Sequence, residues 1–131
     1  SKSEAEKVAA RMAKYGFNLV RIHYVDGSWY SEDTIWNPAS KNFQTLDKAK
    51  LDQLDYLIAQ FKKHGIYTNI NLKVARNFMP EDGFPASAKE LPWMSKRIDF
   101  FNRRMIDLQK KYARDLLGRT NPYTKTRYAD E

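Results

Sequence analysis

The 131 residues are enough for one ordinary domain, and 42% apolar with 14% aromatic content places the chain among globular proteins and excludes disorder. No cysteine is present, so disulfides and thiolate metal sites are excluded, and two histidines leave little for zinc. No metal or other cofactor is expected. The net charge of +7 invites a nucleic-acid or anionic-membrane partner. Against that, the basic residues are spread over three helical patterns, and the densest cluster, "KRIDFFNRRMIDLQKKYAR", is broken by Asp99 and Asp107. It reads as solvated helix faces. Nucleic acid is therefore not an expected partner. No run of about 18 apolar residues exists, so no membrane span is expected. The N-terminus reads as a polar helix rather than a secretory leader, which leaves the compartment open.

The elements follow in chain order. "SKSEAEKVAARMAKYG" reads as a helix, with Ser3 and Glu6 at capping-box spacing and Ala5, Val8, Ala9 and Met12 on one face. Gly16 is a suitable stop. "FNLVRIHY" reads as a strand with both faces partly apolar, as in a parallel sheet, with the polar Arg21 and His23 on the face away from Val20 and Ile22. "TLDKAKLDQLDYLIAQFKKHG" reads as the second helix, its stripe made by Leu51, Leu54, Leu57, Ile58 and Phe61. "IYTNINLKV" is the second strand. There Tyr67, Asn69, Asn71 and Lys73 share a face by period two. A third helix is predicted from a cap near Ser95, carrying Ile98, Phe101, Met105, Leu108, Tyr112 and Leu116 to Gly118. The tail "RTNPYTKTRYADE" has no periodicity and reads as a connection.

The order α-β-α-β-α implies two parallel strands in an α/β fold. Loop lengths sharpen this. Each helix-to-strand turn is close to a single glycine, whereas the strand-to-helix loops run from about 24 to 45 and from about 74 to 95. Loops this long in a compact domain usually have a function, and both lie at the carboxyl ends of strands, where α/β folds place ligand sites. All three tryptophans, Trp29, Trp36 and Trp93, fall in them. Each ring alone serves equally well to pack its loop. As a set they predict a cleft with flat apolar walls suited to sugar rings. Two strands leave open edges and rarely make a stable sheet. The 1–131 chain is therefore expected to be a single partial domain. It would be completed by the remainder of a barrel or by self-association through the open edges. Starting on a helix and ending on a connector fits a slice of a barrel.

"GFNLVRIHYVD" followed by "TLDKAKLDQLDYLIAQFKKHGIYTNINLKV" resembles the early barrel of retaining glycoside hydrolases, cellulase-like and family 5-like, with a (β/α)8 fold. The resemblance runs from Ala5 to Leu117 and implies a partial TIM-type barrel. It also implies a carbohydrate substrate cleaved by two glutamates, an acid/base and a nucleophile with carboxyls about 5 Å apart. Neither glutamate has a counterpart here, so no catalytic residue is expected in this chain, and the chain alone is expected to be inactive. What the resemblance carries over is support. Arg21 falls where an arginine orients the nucleophile carboxylate, and His23 falls where a histidine lies beside the sugar. An ion pair in the barrel wall and a satisfied core histidine are the structural alternatives. Asn71 is placed to bond substrate hydroxyls. Asp26, Trp29, Trp36 and Trp93 complete the expected binding and support set. The family often has a histidine near Asn71, and this chain has none. A parent that degrades polysaccharide would be secreted or periplasmic. Two further readings stand beside this one. One is a basic α/β nucleic-acid-binding or protein-interaction module. The other is a self-standing enzyme using Asp26 with Glu81 or Asp82.

Overall fold

The computed structural model describes residues 1–27, 34–91 and 98–130. Helix α1 (Lys2–Lys14) opens on a capping box in which the Ser1 side chain accepts from the Glu4 amide. The box thus forms two residues before the one predicted at Ser3 and Glu6, because the first orphan amides to be satisfied belong to a helix that already starts at Lys2. Its buried face centres on Ala9, and Val8 is 47% exposed rather than inward. Strand β1 (Leu19–Ile22) follows. Helix α2 (Lys48–Lys63) is capped by Asp47, whose side chain accepts from the amides of Ala49 and Lys50. Strand β2 (Tyr67–Ile70) comes next. Gly16 and Gly65 turn the two helices into their strands at φ 81° and 71°, where a Cβ would be strained.

The third helix departs from expectation. Helix α3 (Arg103–Leu117) starts at an Asn102 cap whose side chain accepts from the Met105 amide at 3.0 Å. Ile98–Phe100 is a separate 3-10 turn. Asn102 takes an extended backbone at the cap and so breaks the helical run. Phe101 consequently leaves the apolar face and stands 87% exposed, while Met105, Leu108, Tyr112 and Leu116 are buried as predicted. The Ser95 cap lies outside the described residues.

The strands pair in parallel, with Leu19 opposite Tyr67, Val20 opposite Thr68, Arg21 opposite Asn69 and Ile22 opposite Ile70. Among the described residues, helices cover one face only. Val20 packs with Ala9, Phe61 and Ile66, and Ile22 and Ile70 pack on a second cluster containing Trp36, Leu51, Ile58, Tyr112 and Leu116. The opposite face stays open: Leu19 is 56% and Tyr67 72% exposed. A sheet with helices outside and a bare second face is a segment of a barrel wall.

The tail is more ordered than its sequence implies. Thr120 bridges Arg127, and Tyr128–Asp130 forms a 3-10 turn. Tyr128 reaches Asp55 of α2 with its hydroxyl at 2.7 Å, Arg119 donates to the same carboxylate from Nε at 3.0 Å, and the Asn121 amide donates to the Asp55 carbonyl at 2.9 Å. Among the described residues, no helix is long and apolar enough to cross a membrane.

Open edges lead to a first expectation. Both edges of a two-stranded sheet carry unpaired backbone groups. Light scattering on the isolated chain should give a mass above that of one chain. A monomeric mass with a cooperative calorimetric transition would count against it.

Candidate functional site

The candidate site is the bare face of the strand pair at its carboxyl end. Arg21 lies opposite Asn69 in the ladder, exposed, and its guanidinium makes no hydrogen bond or ion pair among the described residues. His23 follows on the same face, also exposed, its ring edge-on to Tyr24 with centroids 4.6 Å apart. Asn71 extends the ladder through its amide to the Ile22 carbonyl at 3.1 Å, which sets it level with His23. Its side chain is half-buried. The strand register therefore brings Arg21, His23 and Asn71 to one face and one end. Lys73 does not stay with them: its ammonium turns to Asp99 at 3.2 Å and to the Arg76 carbonyl at 3.0 Å.

The loops above this face are held by buried charge. Tyr24 takes a left-handed backbone at φ 61°, and the Gly27 amide closes the 24–27 turn on the Tyr24 carbonyl at 3.0 Å. A Cβ on Gly27 would lie 3.1 Å from that carbonyl, so the turn has little room for a side chain there. The turn drives Asp26 inward, where it is fully buried. Its carboxylate accepts from the amides of Val74 at 2.8 Å, Ala75 at 3.2 Å and Arg76 at 3.3 Å. Asp26 thus stands beneath the mouth and ties the end of β1 to the loop after β2. Arg76 continues the tie. It is buried, lies over the Trp36 ring at 4.8 Å, and donates to the carbonyls of Leu108 and Phe43. Burial holds its guanidinium below the ordinary range. Asp82, also fully buried, accepts from the Phe43 amide at 3.1 Å and from the Gln44 side chain at 3.0 Å. Both carboxylates accept their hydrogen bonds from donors of the chain itself.

Trp36 is 4% exposed and belongs to the core, with Tyr112 at 4.9 Å and Phe43 at 5.9 Å between ring centroids. Its indole N–H donates to the Asp26 carbonyl at 3.0 Å. It braces the loop from within. Trp29 and Trp93 lie outside the described residues. Among the described residues, no group of three or more His, Asp or Glu side chains is placed to hold a metal ion.

Sequence reasoning missed Arg76 and Asp55, and raised Asp82 only as a catalytic acid, not as the loop brace it forms. Asp55 had a signal: it lies four residues after Leu51 and three before Ile58, inside the apolar stripe of α2. Arg76 falls in an aperiodic loop and had none. Tyr112 carries a further consequence. Burial pushes its phenol well above the ordinary 10.0. The neutral form is then favoured in the folded state, so this stability is complete below pH 10 and is lost as pH rises beyond it. Ultraviolet titration should show one tyrosine that ionises only as the chain unfolds. A full set of tyrosines ionising near pH 10 with the fold intact would contradict this.

Parallel strands backed by helices on one face, with long loops at their carboxyl ends, make a partial (β/α)8-type barrel. Its fold matches that of the endo-1,4-β-mannanase from Rhizomucor miehei with a TM-score of 0.72 and 22% identity, over 100% of this chain and 37% of that one. In sequence, the chain is 26% identical over 130 residues to mannan endo-1,4-beta-mannosidase 3 of Oryza sativa subsp. japonica, covering 93% of this chain. It spans 25% of that relative's length. No protein-family model matches.

Proposed function

We propose that the chain is an early segment of the catalytic barrel of a glycoside hydrolase acting on a β-linked polysaccharide of the mannan type. The observation that carries this reading is the open polar face itself. Arg21, His23 and Asn71 stand at the strand ends of a fold shared with an endo-mannanase, and Arg21 has no partner among the described residues. In a barrel that face points inward. An unpartnered arginine there is available to a carboxylate from another strand. The chemistry would be retaining hydrolysis by two glutamates carried elsewhere in the barrel, one as acid/base and one as nucleophile. Arg21 is then a positioning residue, orienting the nucleophile through charge-assisted hydrogen bonds. His23 and Asn71 would meet substrate hydroxyls. Asp26, Trp36 and Arg76 hold the loops that wall the cleft, and Trp29 and Trp93 are proposed as wall residues.

The test is hydrolysis of β-1,4-mannan by the longer protein that contains this segment. Arg21→Ala should lower kcat by roughly 100-fold with little change in KM, since a misaligned nucleophile slows chemistry more than binding. Arg21→Lys should recover only part of it, because lysine lacks the planar fork. Undiminished kcat in Arg21→Ala would remove the positioning role. No hydrolysis of any β-linked mannan or glucan would remove the functional reading.

A further inference from the structure

The loop between β1 and α2 encloses a groove of about 660 Å³ beside the N-terminus of α2. That lies within the size range of small-ligand sites, roughly 300–1,000 Å³. It differs from the hollow along β2 lined by Ile58, Ile66, Ile70 and Tyr128, which opens at a bare sheet edge. Here the lining comes from the 34–50 segment and Met79 of this chain.

Its lining has two kinds of group. Phe43 and Met79 give an apolar floor, backed by the buried Trp36. Asn37, Asn42 and Asp47 give a polar wall. Each of these three commits one side-chain atom to the backbone. Asn37 Oδ1 accepts from the Ala39 amide at 2.9 Å, Asn42 Oδ1 from the Gln44 amide at 3.0 Å, and Asp47 Oδ1 from the Ala49 amide at 2.9 Å. The second atom of each makes no hydrogen bond among the described residues. The loop contacts thus fix three side chains and leave two amide donors and one carboxylate acceptor uncommitted. Fixed donors and acceptors over an apolar floor suit a ligand whose hydroxyls both donate and accept and whose ring faces are C–H. Lys41 and Lys50 also border the groove, which makes an acidic ligand the competing chemistry.

We propose that this groove binds a neutral β-linked oligosaccharide, at a place separate from the strand-end face. The ligand class rests on the carbohydrate reading above; the position rests on the groove. Mannohexaose is the probe, titrated into the 131-residue chain by calorimetry and by amide chemical shifts. Shifts should cluster over 34–50. The double variant Asn37→Asp with Asn42→Asp keeps both turn-accepting oxygens and removes both donors. It should bind roughly tenfold or more weakly. Shifts confined to 21–23 and 69–71 would overturn the groove and leave the carbohydrate reading standing. An unchanged affinity in the double variant would also overturn it. So would binding of a polyuronate without mannohexaose, or no binding of either sugar. Mannan hydrolysis by the longer protein judges the carbohydrate reading separately.

Discussion

Replacing Asp26 by alanine is expected to lower the unfolding free energy by roughly 3–5 kcal/mol, because it strips a buried anion from several donors at once. The carboxylate is fully buried and accepts from the amides of Val74, Ala75 and Arg76. Alanine leaves those amides unsatisfied in a site that water does not readily reach. It also removes an anion that offsets the buried charge of Arg76. Asn is expected to do little better, since its NH2 would face amide donors. The measurement is a urea transition monitored by circular dichroism. The effect should extend beyond stability. Asp26 joins the end of β1 to the loop after β2, so amide exchange in 74–76 should rise sharply in the variant. An unfolding free energy within about 1 kcal/mol of the parent would show that these amides find other acceptors.

Asp55→Ala should be the second most damaging change, at roughly 2–3 kcal/mol. Asp55 is fully buried, and its oxygens take the Tyr128 hydroxyl at 2.7 Å and Arg119 Nε at 3.0 Å. The estimate is held below that for Asp26 because Arg119 is 30% exposed and can turn to water once its partner is gone. Tyr128→Phe removes a single neutral donor and should cost about 1 kcal/mol. The Arg127–Asp130 pair is solvent-exposed on both sides, so Arg127→Ala should leave the urea midpoint unchanged. This ordering separates a buried clasp from a surface ion pair. Equal effects from Asp55→Ala and Arg127→Ala would show that the tail is not held by the clasp. If the clasp does hold it, trypsin should cut the 119–127 segment much faster in Asp55→Ala than in the parent.

Periodicity made much of the scaffold legible. Leu51, Ile58 and Phe61 on α2, and Met105, Leu108, Tyr112 and Leu116 on α3, are buried where a 3.6-residue repeat puts them. Alternation along β1 and β2 separated the helix-facing residues Val20, Ile22 and Ile70 from the bare face of Arg21 and Asn69. Element starts were less legible. Ser1 and Ser3 offer the same cap chemistry, and only the hydrogen bond chooses between them. Ile98 and Phe101 fit the repeat of α3, yet Asn102 ends the helix before it reaches them, because a cap competes with helix continuation locally.

The candidate site divides along the same line. Its strand residues, Arg21, His23 and Asn71, follow from a two-residue period that local backbone geometry enforces. By itself the sequence determined the α-β-α-β-α order, the parallel pairing, the apolar stripes and the polar strand face. The stripes and the polar face depend on neighbours within a few residues, and the parallel pairing follows from the helix that joins the two strands. Only the tertiary structure decided that Asp26 looks down to 74–76, that Trp36 braces the core, and that Arg76 and Asp82 lock the two long loops together. It also decided that an unpatterned tail closes on Asp55. Such contacts join residues 33 to 73 positions apart. Their direction is set by which donors are left unsatisfied when distant segments meet, and no local repeat records that.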